Sequence, residues 1–345
     1  MAQEHDKLFK IAFANPEAAR SQLRALLSDE LLAALDLDSL KLAPETLISA
    51  EQRELRSDRI YEVTFCRHPA LIYVLYEHQS TVQTFMGLTV LRYLVSLWDL
   101  WLAQQDKDDP PTKLPPIIPV VLYHGKDPWD TPTSFADLLD LPQDLRPLVQ
   151  RYLPAFEYVL DDVNVPSDEE LRARHAPPLA AITLILFKHT GRGEDMLVVL
   201  QSMRGELAAL AGEPDWDLGV QRVALYTLRV GDVPLGEFAK LVEESMGPGA
   251  KEVVVTTAEK LIQEGEKRGE ERGRREGRLE GRLEGLLEGE RRIFLRLLRT
   301  FFGTVPAEIE QRVASAAANQ LETWTERVRG AGSIEDVFAD PDAAD

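Results

Sequence analysis

Leu71-Ile72-Tyr73-Val74-Leu75-Tyr76-Glu77-His78-Gln79 sets six apolar residues directly before a carboxylate, a histidine and an amide. A run this rich in aromatic and β-branched residues, without a helical period, reads as a strand buried on both faces. Side chains alternate along a strand, so Glu77 and Gln79 share one face and His78 takes the other. Carboxylates at such positions are rare unless they are paired or hold a metal. Upstream, Leu47 to Phe65 alternates in part between charged and apolar residues and reads as strand, with Cys66-Arg67-His68-Pro69 as a turn. A hairpin centred near residues 67–68 sets Asp58 close to Glu77 at one end of the ladder. Two or three hard oxygen ligands with room for water suit Mg²⁺, or another divalent cation such as Mn²⁺ or Ca²⁺. Such an ion polarises a phosphodiester and lowers the pKa of an attacking water. The competing reading of Asp58 is an exposed polar residue at a strand start.

Working outward, Ser80-Thr81 reads as a helix cap, and the helix after it reaches about Gln105. Its stretch Phe85 to Ala103 carries Arg92 and Asp99, which favours a buried helix over a membrane span. Ile117 to Tyr123 is a second buried strand, ending at His124-Gly125. Toward the N-terminus, apolar residues at helical spacing predict one helix from about Pro16 to Leu35. Residues 130–245 read as mostly helical, and Ala180 to Phe187 is too apolar for exposure without deciding between helix and strand.

From Gly265 to Gly289 a glycine recurs every fourth residue, with Glu and Arg filling most gaps. Each glycine costs a helix roughly 1 kcal/mol relative to alanine, while Glu–Arg pairs three or four apart return a few tenths each. The segment is either a solvated helical linker or a helix completed by self-association along its small-residue stripe. Ile293 to Phe338 reads as a short helical unit with Trp324 and Val328 in its core.

Over 345 residues, 44% hydrophobic and 28% charged content is that of a globular chain, and one cysteine excludes a disulfide framework or a Cys-rich zinc module. The net charge of −19 argues against a broad basic nucleic-acid surface. The polar N-terminus has no secretory h-region. The expectation is a cytoplasmic protein that does not enter a membrane.

Five stretches in order, His5-Asp6-Lys7-Leu8-Phe9-Lys10, Arg56-Ser57-Asp58, Glu77-His78-Gln79-Ser80-Thr81, Arg92-Tyr93 and Ile118-Pro119-Val120-Val121-Leu122-Tyr123-His124-Gly125, resemble the Rpn family of recombination-promoting nucleases, which also carries a transposase label. That family is placed in the PD-(D/E)XK nuclease superfamily. The resemblance is strong over about residues 4–130. It implies an α/β fold with a PD-(D/E)XK-like core, a mixed sheet flanked by helices, over 1–130. A mainly helical extension over 131–260, the Glu/Gly/Arg repeat helix over 261–292 and a small helical C-terminal domain over 293–345 would follow.

The resemblance also implies metal-dependent cleavage of DNA. Asp58 and Glu77 would match the two metal-binding carboxylates. Gln79 stands where the superfamily usually has lysine. Either Gln79 positions the water alone, or a lysine elsewhere supplies the charge, with Lys10 a candidate. Asp6 would be an accessory acid or the N-cap of the first helix. His5, His78, Tyr123 and His124 would be accessory or structural, and Arg92 would reach a phosphate or bury an ion pair. The rival readings are a non-catalytic DNA-binding or interaction protein on a decayed scaffold and, last, a strand-joining transposase. A homo-oligomer through the Gly265–Gly289 helix is a further expectation.

Overall fold

The computed structural model describes residues 2–44, 59–77, 83–190, 192, 194–231 and 233–339, and for residues 2, 3 and 74–77 the backbone alone. Five strands form one sheet in the order β1 (Leu35–Leu42), β2 (Arg59–Phe65), β3 (His68–Glu77), β4 (Ile117–Tyr123) and β5 (Val159–Asp162). The first three pair antiparallel, and β3–β4 and β4–β5 pair parallel. The two apolar runs are therefore β3 and β4, two of the three inner strands, and their burial on both faces removes alternation.

The β2–β3 hairpin turns at Cys66 and Arg67, whose φ values of 46° and 66° are the positive pair of a type I′ turn. This corrects the expected centre at 67–68. Arg59 lies opposite Val74 instead of Tyr76. A displacement of two residues leaves each strand's faces unchanged.

Before the sheet come α1 (Ala2–Ala12), α2 (Pro16–Leu26) and α3 (Asp29–Ala34). The single helix expected over Pro16–Leu35 is thus broken. Leu27 is extended, Ser28 caps α3 by accepting from the Leu31 N–H, and Leu35 opens β1. Leu35-Asp36-Leu37-Asp38 has the two-residue period of a strand, and Leu35 pairs with Phe65. The helix expected from Ser80-Thr81 starts later, as α4 (Met86–Ala103), with Phe85 at its N-cap. By length and composition α4 could cross a membrane. In the fold Met86, Val90, Leu94 and Leu97 bury against Ile60, Leu71, Tyr73 and Val121 of the sheet.

β5 falls within the region expected to be mostly helical, a second correction: four residues are too few to show a period. Beyond it lie α5 (Asp168–Ala173), α6 (Pro178–Thr190), α7 (Met196–Ser202), α8 (Arg204–Leu210), α9 (Trp216–Val230) and α10 (Leu235–Met246). Residues 180–187 belong to α6, and all of them are buried, which is why they carry no polar face. One apolar core joins α1, the second sheet face and α6–α10 through Phe9, Tyr61, Ile72, Leu122, Phe187 and Phe238. Burying a side chain of this size stabilises by about 1.5–3 kcal/mol.

α11 spans Pro248–Phe302 and is followed by α12 (Ala307–Ala314), α13 (Ala318–Arg327) and α14 (Ile334–Val337). The chain divides into two compact units, Met1–Lys260 and Leu261–Asp345. The second has its own core, built on Phe294, Leu298, Trp324 and Phe338. A Cβ on any of the seven repeat glycines would meet nothing within 4 Å.

Candidate active site

Parallel strands deliver their carboxyl ends to one edge of the sheet, where open α/β sheets bind ligands. Here Glu77 pairs with Tyr123, and Tyr123 with Asp162. β2 runs the other way, so its first residue, Arg59, starts near the same edge, opposite Val74. Asp58, His78 and Gln79 lie outside the described residues, and Glu77 is described by its backbone alone.

Tyr123 is fully buried. Its hydroxyl donates to the Asp127 carbonyl at 2.6 Å, and Trp129 meets its ring edge-on at 4.9 Å. Gly125 passes so close that a Cβ there would collide with the Tyr123 ring, so the turn after β4 requires glycine.

His124 is buried and stacks on Phe187 at 4.8 Å. Its ring lies 5.0 Å from that of His5, also buried, which α1 brings in. A directed hydrogen-bond chain sets the state of His5. Thr190 Oγ1 donates to the Leu186 carbonyl at 2.6 Å, and the Tyr226 hydroxyl donates to Thr190 Oγ1 at 2.8 Å. The 3.0 Å contact between Tyr226 and His5 must then be made by the Nδ1–H of His5. Burial pushes the Tyr226 phenol up, with the Thr190 hydrogen bond opposing, so the hydroxyl stays protonated.

Glu4 anchors the same end of α1, accepting from Arg229 of α9 and from Lys7 at 3.2 Å. Asp6 is half-buried inside α1, which starts at Ala2, so it is not the N-cap that one reading assigned to it. At the other end the Tyr61 hydroxyl donates to the Phe13 carbonyl at 2.5 Å, and the Arg59 guanidinium donates to the Lys10 carbonyl. Lys10 and Arg59 line a cavity of about 510 Å³ together with Pro178, Leu210, Glu213 and Asp215. The structure thus brings His5 to His124 and Lys10 to Arg59. Arg92 is exposed on α4, which rules out a buried ion pair for it.

Asp161 and Asp162, at the end of β5, were not singled out from sequence. Asp161 is buried and holds Arg174 with two bonds of 2.9 and 3.0 Å. Burial pushes its carboxyl up, with Arg174 opposing. Asp162 Oδ1 accepts from the N–H and the side-chain amide of Asn164, which also donates to the Gly125 carbonyl at 3.1 Å. The signal available was the pair of acids directly after Tyr158-Val159-Leu160. Among the described residues, no group of three or more His, Cys, Asp or Glu side chains could hold a metal ion.

A family model described as "Putative transposase, YhgA-like" matches residues 3–215. The chain belongs to the YhgA-like family. Curated relatives agree with the resemblance drawn from the five motifs. Recombination-promoting nuclease RpnA of Escherichia coli (strain K12) is 31% identical over 266 residues, 76% of this chain and 85% of the relative. Recombination-promoting nuclease RpnD of Escherichia coli O157:H7 is 29% identical over 74% of this chain and 93% of its own. A third relative, 29% identical over 76% of this chain and 83% of its own, is the inactive recombination-promoting nuclease-like protein RpnE of Escherichia coli (strain K12). No solved structure matches the chain. The YhgA-like region takes in all five strands and α1–α8, and ends before the glycine repeat.

Proposed function

We propose that the chain is a divalent-metal-dependent DNA endonuclease that promotes recombination, with its catalytic edge at the start of β2 and the end of β3. One observation carries this reading: β2 begins and β3 ends at one edge of the sheet, with Arg59 opposite Val74 and Glu77 level with Tyr123. Asp58 directly precedes Arg59 in the chain. The order helix, three antiparallel strands, helix, parallel strand also agrees with the PD-(D/E)XK-like core that the resemblance implies.

The donor chemistry fits a hard cation. At this edge Asp161 is engaged by Arg174, and Asp162 Oδ1 by Asn164; Asp58 and Glu77 are the oxygen donors that the resemblance assigns. They would hold Mg²⁺, or Mn²⁺ or Ca²⁺ in its place. Bound there, the ion would polarise the phosphodiester and acidify a water. Gln79 orients the attacking water through its amide but adds no charge, and Lys10 is the cation proposed to offset the charge of the transition state. His5 and His124 position α1 against the end of β4. The reading places the nuclease core over 1–130, DNA as the partner and the cytoplasm as the compartment, and keeps the Gly265–Gly289 stripe as an association face. With a net charge of −19, binding to DNA is weak and salt-sensitive, because affinity rests on phosphate contacts.

The test is plasmid cleavage by the purified chain with Mg²⁺ or Mn²⁺. Asp58→Ala and Glu77→Ala are expected to lose cleavage at least a hundredfold while circular dichroism and unfolding stay unchanged. A well-folded Asp58→Ala protein that nicks at the wild-type rate overturns the assignment. The glutamine at position 79 and the inactive relative favour one second reading, a DNA-binding scaffold without catalysis. DNA binding without cleavage under either metal would select it.

A further inference from the structure

α4 is apolar on two sides, and the fold buries one. Met86, Val90, Leu94 and Leu97 pack on the sheet. On the other side Leu88, Val95 and Leu102 recur every seven residues and are 37%, 48% and 42% exposed. Leu91 and Trp98, half-buried, fall three residues after Leu88 and Val95; Trp98 borders both sides, packing in part on the sheet-side core and donating its indole N–H to the Pro115 carbonyl at 2.9 Å. This is the a/d spacing of a coiled-coil seam. The helix has two charged residues, Arg92 and Asp99, both exposed and both at the e position of that heptad. Seven residues separate them, roughly 10 Å along the axis, too far to pair within one helix.

We infer that this seam docks antiparallel on the same seam of a second copy of the chain, about a twofold axis level with Ser96 and Leu97. Charge selects both the occupant and its direction. The register that stacks Val95 on Trp98 of the second copy, and Leu91 on its Leu102, also sets Arg92 beside its Asp99. The twofold repeats every one of these contacts, as an isologous interface requires. A parallel pair would face each e position with a g position, here Gly87, Leu94 and Trp101, and would leave all four charges without partners. A bilayer would have to accept Arg92 and Asp99 on its contact face. The inference rests on α4 alone and stands apart from the nuclease reading.

The experiment is sedimentation velocity on the full chain across a concentration series, with circular dichroism as the fold control. The wild type is expected to dimerise. Arg92→Asp and Asp99→Arg, each placing like charges together twice, are expected to weaken dimerisation at least tenfold. The double variant Arg92→Asp/Asp99→Arg recreates both pairs with their signs exchanged and is expected to regain it. Val95→Asp is expected to weaken dimerisation at least as much as either single reversal. A monomeric wild type, single reversals that leave the mass unchanged, or a double variant no better than the singles would each overturn the interface. So would association that responds only to changes in the glycine repeat, or a monomer that floats with lipid vesicles.

Discussion

Arg174 and Asp161 form a pair that is almost wholly out of water, with side chains 9% and 1% exposed. Replacing Arg174 by alanine leaves a buried carboxylate with its counter-charge gone, at an expected cost of about 3–5 kcal/mol. Urea unfolding followed by circular dichroism measures it. Replacing both partners with apolar residues should recover much of the loss, because no charge is then stranded. Asp168 behaves differently. Partial burial pushes its carboxyl up, but hydrogen bonds from Lys188 at 2.7 Å and His189 at 2.9 Å outweigh this and hold it below the ordinary value. A carboxyl lowered in the folded state stabilises above its unfolded value and loses that contribution as pH falls through the folded one. Asp168→Asn should therefore lower the melting temperature at pH 7, and the gap to wild type should close on acidification below about pH 4. Melting curves from pH 7 to pH 3 read this directly; a gap that stays constant over that range would sink it.

Among the elements, the β2–β3 turn is the most open to improvement. Cys66 and Arg67 both occupy positive φ, where a residue with a Cβ is strained by about 1 kcal/mol. Cys66→Asn with Arg67→Gly supplies the residues a type I′ turn favours and should raise stability by about 1 kcal/mol, seen as a higher urea midpoint with an unchanged slope. The same turn shows how far local reading reaches. Both strands of the hairpin were legible from their composition, and so was the turn segment. The register was not, because Cys66-Arg67 is an unusual occupant and Asn-Gly was not there to mark it. β1 was missed although Leu35-Asp36-Leu37-Asp38 alternates, since the helical leucines just before it ran into it without a glycine or proline break.

On the scale of the molecule, two compact units with separate cores predict two thermal transitions by calorimetry. Trp324 is buried against Phe294 and Phe338 in the second unit. Trp324→Ala should cost that unit about 3–5 kcal/mol and move one transition while the other keeps its temperature. A common shift of both would show that the units unfold together.

The candidate site divides along the same line. Composition and the order of short motifs determined the α/β class, the two apolar inner strands β3 and β4, and the family, because strand burial, turn chemistry and motif residues are written within a few neighbouring positions. Asp161, Arg174, Tyr226 and Thr190 could be placed only by the tertiary structure. Their partners lie far away in the chain, and a hydrogen bond or an ion pair depends on distances of about 3 Å that local spacing does not specify. The exposed side of α4 belongs to both: its heptad is written in sequence, but only packing against the sheet shows which of two apolar faces is left over.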